Sequence, residues 1–155
     1  MATRLSTSVT LHRDHSIEVL AEKAVTPAIK ECQGETNINF VTHSLGGILV
    51  RQYLSVHDIP NLKYVVMLGP PNKGSEFADK LHNVPGFHFV NCDAGMQLGT
   101  GNLSVPNSLG AANFNQGIIA GNQSINLILS TDIPGNHDGE VSLERTKLEG
   151  MNTHL

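Results

Sequence analysis

What this chain of 155 residues lacks narrows the field before any motif is read. It has no run of basic residues, and its formal net charge is −4. Phosphate backbones and anionic membrane surfaces are held by clustered Lys and Arg, so the expectation is a protein with no nucleic-acid partner. No apolar stretch is long enough to span a bilayer, so stable membrane insertion is not expected either. Residues 1–16 do not resemble a signal peptide. Only two cysteines are present, Cys32 and Cys92, too few for a disulfide framework and without metal-ligand spacing. They read as thiols in a reducing compartment, and the expected location is cytoplasmic. The eight histidines show no H-E-x-x-H pattern, so no metal or other cofactor is implied. No internal repeat and no break in composition divides the chain. Hydrophobic content of 39% with 15% charged residues then predicts one soluble domain over 1–155, able to bury a core.

What is there centres on Asn39–Arg51. Ile38, Phe40 and Val41 form a short apolar run of the kind that fills a sheet covered on both faces. Leu45, Ile48, Leu49 and Leu54 follow at helical spacing. Ser44 stands at the joint, where a tight strand-to-helix turn strains the backbone and lifts the hydroxyl out of the sheet end. Gly46 is expected to keep a Cβ away where the first helical turn passes the strand. The N–H of Leu45, at the start of the helix, is placed to stabilise an oxyanion.

Around this joint the chain predicts an alternation of helices and strands. Ile17, Leu20, Ala21, Ala24, Val25, Ala28, Ile29 and Cys32 mark an amphipathic helix, with Ser16 as N-cap and Gly34 as its stop. Pro27 should kink that helix or begin a second turn. Residues 1–15 show no periodicity and read as a loosely held arm. Tyr64–Leu68 is a second buried strand, with a short helix from Glu76 to His82, and Gly117–Gly121 a third strand. Residues 83–116 are dense in Gly, Asn, Pro and Ser without a helical period. Ile125–Leu129 is helix or strand, Ile133–Gly139 a loop, and Val141–Leu148 a short element. The segment Gly69–Ser75 has the position of a phosphate loop. It lacks the lysine after its second glycine, and Pro70 and Pro71 remove amides, so nucleotide binding is not expected.

Thr42-His43-Ser44-Leu45-Gly46-Gly47 resembles the nucleophile elbow of the α/β-hydrolase superfamily, in its small bacterial lipase/esterase-like branch. Thr42 replaces the first glycine of G-x-S-x-G. Gly69–Ser75 resembles that family's PPN-x-GS turn, and Asp138-Gly139-Glu140-Val141 its acid loop. The resemblance covers residues 16–151 and implies an α/β fold, a partial hydrolase sheet with fewer strands than the family. It also implies a chain that is minimal or truncated at both ends. The family places an early His-Gly loop that donates a second oxyanion N–H, and nothing before Ser44 fits it. One missing donor corresponds to about 3 kcal/mol of transition-state stabilisation. A sheet shortened in this way leaves open edges, and a homo-oligomer is expected.

A serine needs a histidine to take its proton and an acid to orient that histidine. In the resembled family the order is Ser, acid, His. Asp138 fits the acid, with Asp93 and Asp132 weaker candidates. His12, His15 and His43 come too early, His57 ends the elbow helix, His82 and His88 precede the acid, and His137 adjoins it. His154 is the one histidine after Asp138, though closer to it than the family's spacing. The expectation is therefore a serine esterase acting on short-chain esters, with Ser44, Asp138 and His154 catalytic. The rival readings are a hydrolase-like scaffold with a binding role, an enzyme passing the acyl group to another acceptor, and scattered weak hydrolytic sites.

Overall fold

The computed structural model of the chain describes residues 15–76, 78–79, 93–121 and 142–155. Helix α1 (Ile17–Glu31) leads through a turn into strand β1 (Ile38–His43), which feeds helix α2 (Leu45–Val56) and strand β2 (Leu62–Leu68). Two one-turn helices follow, α3 (Asp93–Met96) and α4 (Val105–Ser108), then strand β3 (Gln116–Ile119). A last one-turn helix, α5 (Leu143–Thr146), precedes the two-residue strand β4 (Thr153–His154). The strands form one parallel sheet in the order β1-β2-β3-β4.

Each element has a local cause. The apolar stripe of α1 buries Ile17, Leu20, Ala21 and Val25, and α1 packs against α2. Pro27 neither ends α1 nor splits it, because the helix continues to Glu31 on either side of the missing amide. Gly34, at φ +90°, turns the chain after the helix in a conformation that favours glycine. Ser16 occupies the N-cap position with its side chain making no capping hydrogen bond.

The register carries Thr42 to Met67, Met67 to Ile118 and Ile118 to His154. Side chains in such a row share a face, and this row with Phe40 and Val65 faces inward. Val65, Met67 and Ile118 are buried in the core beside Ile48, Leu49 and Val50 of α2. The opposite face differs from the expectation of a sheet covered on both sides. There Val41 is 72% exposed, Tyr64 55% and Ile119 46%. The loop-rich stretch after β2 also differs from expectation, because α3 and α4 each make one helical turn within it.

Candidate active site

The site is built at the carboxyl end of β1. Ser44 has φ 47° and ψ −122°, and among the described residues no other side-chain-bearing residue has positive φ. Holding a non-glycine residue there costs about 1–3 kcal/mol, so the surroundings must enforce it. Two contacts do so. The Ser44 amide donates to the Leu68 carbonyl at the end of β2 (2.9 Å), and the Gly47 amide donates to the Ser44 carbonyl (3.0 Å). The half-buried serine therefore sits between the sheet end and the first turn of α2, beside helix amides that have no partner within the helix.

The close approach of helix and strand falls at Gly47, not at Gly46 as the sequence suggested. A Cβ on Gly47 would lie 3.2 Å from the Pro70 Cβ and 3.3 Å from the Met67 sulfur. On Gly46 it would lie an ordinary 3.6 Å from the Thr42 Cβ. Thr42 thus takes up the space beside the elbow, with its hydroxyl 3.4 Å from the Val66 carbonyl.

The turn after β2 forms the neighbouring wall. Its amides are already engaged: Gly69 N–H donates to Ile119 O, Asn72 N–H to Pro70 O, Lys73 N–H to Arg145 O, Gly74 N–H to Pro71 O and Ser75 N–H to Leu98 O. Each of these donors is used to hold the turn itself or to tie it to its neighbours. Gly74, at φ +83°, is required by crowding, since a Cβ would meet Gly99 O at 2.2 Å.

Behind this wall lies a residue that sequence reasoning passed over. Arg51 of α2 is 4% exposed, and burial pushes its guanidinium down to about 10, so it remains charged at neutral pH. It donates through one terminal nitrogen to the backbone and side-chain oxygens of Asn72 (3.2 and 3.1 Å). Its other terminal nitrogen donates to the Pro106 and Gly110 carbonyls (3.2 and 2.8 Å). The buried Asn72 then donates its amide to the Thr146 carbonyl at 2.8 Å. The signal was available: Arg51 falls on the apolar stripe of its helix, three residues after Ile48.

The expected triad is not assembled by the described residues. Asp138 lies outside them, as do His12, His82, His88, His137, the Asp132 alternative and the undecided 125–129 segment. His43 is exposed and, as neighbour of Thr42 in an alternating strand, turns to the outer face. His57 hydrogen-bonds Glu22 at the far end of α2, holding that carboxyl below its ordinary range. His15 lies beside Lys23.

His154 stands in β4, three strands from β1, and three strand spacings amount to about 14 Å. Its Nε2 lies 2.9 Å from the Thr146 hydroxyl, which itself donates to the Leu143 carbonyl at 2.8 Å. A hydroxyl has one proton to give, so Nε2 carries the hydrogen and Thr146 accepts it. As placed, His154 is not brought to Ser44. The reason is topological: the residue follows the acid in sequence but is used to pair β4 with β3.

The strand order, the elbow and the inner helices define a partial α/β-hydrolase-like fold. Solved structures agree. The mature form of the Bacillus licheniformis lipase BlEst2 superposes with TM-score 0.71 at 20% identity, covering 92% of this chain and 66% of that one. Its propeptide form gives TM-score 0.72 at 20% identity, with coverage of 92% and 36%. Phospholipase PlaB from Legionella pneumophila, in complex with thio-NAD, gives TM-score 0.71 at 16% identity, with coverage of 90% and 35%. The chain therefore spans about two thirds of the mature lipase and about a third of the longer proteins. No protein-family model matches the sequence, and no curated protein matches it.

Proposed function

We propose that this chain is a serine carboxylic-ester hydrolase acting on short-chain esters through an acyl-enzyme on Ser44. One observation carries the reading: Ser44 is held at φ 47° on a strand-to-helix joint, a strained conformation that its surroundings, two hydrogen bonds among them, must enforce. In this reading Ser44 Oγ attacks the ester carbonyl, and the alcohol leaves with a proton delivered by the base. Water then releases the acid from the acyl-serine. The Leu45 N–H faces the developing oxyanion.

Asp138 is the proposed acid. Four residues further on, the Ser142 hydroxyl donates to Glu76 at 3.1 Å, and Arg145 donates to the same carboxylate at 3.0 Å. These contacts tie the segment following the acid loop to the turn beside the elbow. His154 is the base expected from chain order, and it stands in β4, three strands from β1.

That separation favours a second reading, a hydrolase-like scaffold in which the elbow remains but no histidine activates it. Hydrolysis of p-nitrophenyl butyrate by the purified chain, Ser44→Ala and His154→Ala decides between them. The enzyme reading expects Ser44→Ala to lose at least about a thousandfold, and the geometry expects His154→Ala to retain most of its rate. Loss in both variants would restore His154 as the base. A chain that neither turns over nor labels with a fluorophosphonate supports the scaffold. A Ser44→Ala protein with unchanged rate would sink the assignment of the nucleophile.

A further inference from the structure

A second concave site lies at the other end of the sheet from Ser44. It is a cavity of about 490 Å³, walled by the carboxyl end of α2 and by the chain as it enters β2, β3 and β4. That volume falls within the roughly 300–1,000 Å³ of small-molecule sites. Leu62, in its wall, pairs with Ile38, six residues before Ser44. At about 3.3 Å per residue the cavity is therefore about 20 Å from the elbow.

Its lining is mostly polar. His57, Asp58, Asn113, Asn115 and Asn152 bring imidazole, carboxylate and amide groups to it, and half-buried Phe114 adds an aromatic ring. The side chains of Asp58, Asn113 and Asn115 have no protein partner. Asn152 and His57 are held in place. Asn152 Oδ1 accepts from the Gln116 amide at 2.8 Å, which orients the side chain and leaves its NH2 hydrogens without a protein acceptor. The His57 ring hydrogen-bonds Glu22 and stacks on Tyr53 with centroids 4.3 Å apart. Gln116 adds an independent sign. Its side chain is buried and both polar atoms lack a partner, while its neighbour Asn115 and its partner Asn152 line the cavity. A buried amide without partners is rare in native folds, and this one puts unmet donors and acceptors beside the cavity wall.

The donors and acceptors select among ligand classes. The lining holds a carboxylate and no Lys or Arg, which disfavours phosphates and other anions. Hard metal cations take six or more oxygen ligands, and among the described residues no three His, Cys, Asp or Glu converge. A wholly apolar ligand would strip water from five polar side chains and replace none of their hydrogen bonds. A neutral polyhydroxylated ligand fits. Its hydroxyls both donate and accept, matching the three Asn amides, and the Asp58 carboxylate accepts from them. The C–H face of a sugar ring is apolar and suits Phe114. We propose that this cavity binds a carbohydrate of mono- or disaccharide size. The inference stands independently of whether Ser44 is catalytic.

Backbone amide shifts of the full chain, followed by NMR during titration with maltose, cellobiose, lactose and N-acetylglucosamine, test it. At least one sugar should give saturable shifts centred on residues 57–58, 113–115 and 152, with a Kd of about 1 mM or tighter. Ser44→Ala should bind that sugar equally well. Asp58→Ala and Asn113→Ala remove exposed side chains that hold nothing else in the fold. Together they should weaken binding at least about tenfold and leave the melting temperature unchanged. Shifts that stay linear up to about 50 mM with every sugar overturn the proposal. Shifts centred on Leu45–Gly47 place the sugar at the elbow and also overturn it. So does inorganic phosphate producing the same shifts as the sugars, or binding that survives the double substitution. If the double variant does not fold, the location and saturation of the shifts in the parent chain still decide.

Discussion

The elbow and the far strand are built from the same parallel sheet, yet they are specified in opposite ways. At β1–α2, everything that positions Ser44 lies within a few residues or one strand away: the Leu68 carbonyl, the first turn of α2, and the glycine that lets the helix press on Met67. At β4, two residues of strand are held by contacts gathered from distant segments, and the Thr146 hydroxyl that engages His154 belongs to α5. The first region turns local sequence into a strained conformation at Ser44. The second depends on long-range assembly, and there chain order is a poor guide to position. Asn72 joins the two, because it accepts from Arg51 of α2 and donates to Thr146.

The severest way to break the comparison is to remove that joint. Arg51→Met keeps most of the stem but leaves the oxygens of Asn72, Pro106 and Gly110 without their buried donor. Hydrogen bonds to a charged group contribute about 1.5–3 kcal/mol each, partly offset by the relief of burying the charge. We expect a net loss of about 3 kcal/mol in urea unfolding. A change below about 0.5 kcal/mol would mean that water replaces the guanidinium and that the two regions are not coupled through it.

Legibility followed the same division. The β1–α2–β2 unit was readable because an apolar run gives way to a helical period across one serine, and both signals span enough residues to be seen. One-turn helices such as α3 and α4 are shorter than the period that would betray them. The role of Arg51 was hidden because a charged residue in an apolar stripe shows that it is buried, not what it holds. The position of His154 could not be read, for a physical reason. Sequence order establishes that it follows Asp138, but only strand pairing shows that it lies beside Ile118. The exposure of Val41 could not be read either, since an apolar strand looks the same whether one face or two are covered.

A smaller effect is expected at β4 itself. Thr146→Val keeps the shape of a buried side chain and removes the acceptor of the His154 Nε2–H and the donor to Leu143 O. A neutral hydrogen bond contributes about 0.5–1.5 kcal/mol, and half-exposed His154 can turn to water, so a loss of about 1 kcal/mol is expected. The informative readout is the pair of rates. If His154 is structural, Thr146→Val and His154→Ala lower the melting temperature together and leave ester hydrolysis per folded molecule unchanged. A rate that falls in both while stability holds would bring β4 into the chemistry.

The smallest expected effect tests how the elbow tolerates Thr42. In the resembled pattern a glycine stands there, and the glycine two places after the serine is read as the one that prevents a clash. With Thr42 present, a Cβ on Gly46 would still sit 3.6 Å from the Thr42 Cβ, an ordinary contact. Alanine at position 46 would also gain helix propensity, at most about 1 kcal/mol and less in a first turn. Gly46→Ala should therefore leave the melting temperature unchanged or slightly raised. Gly47→Ala carries the same propensity gain but pushes a Cβ to within 3.2 Å of Pro70 and 3.3 Å of the Met67 sulfur. The pyrrolidine has little freedom to give, while the thioether has more. We expect Gly47→Ala to be the less stable of the two by about 1 kcal/mol. The reverse order would show that Met67 yields easily and that the strain on Ser44 is carried by its hydrogen bonds alone.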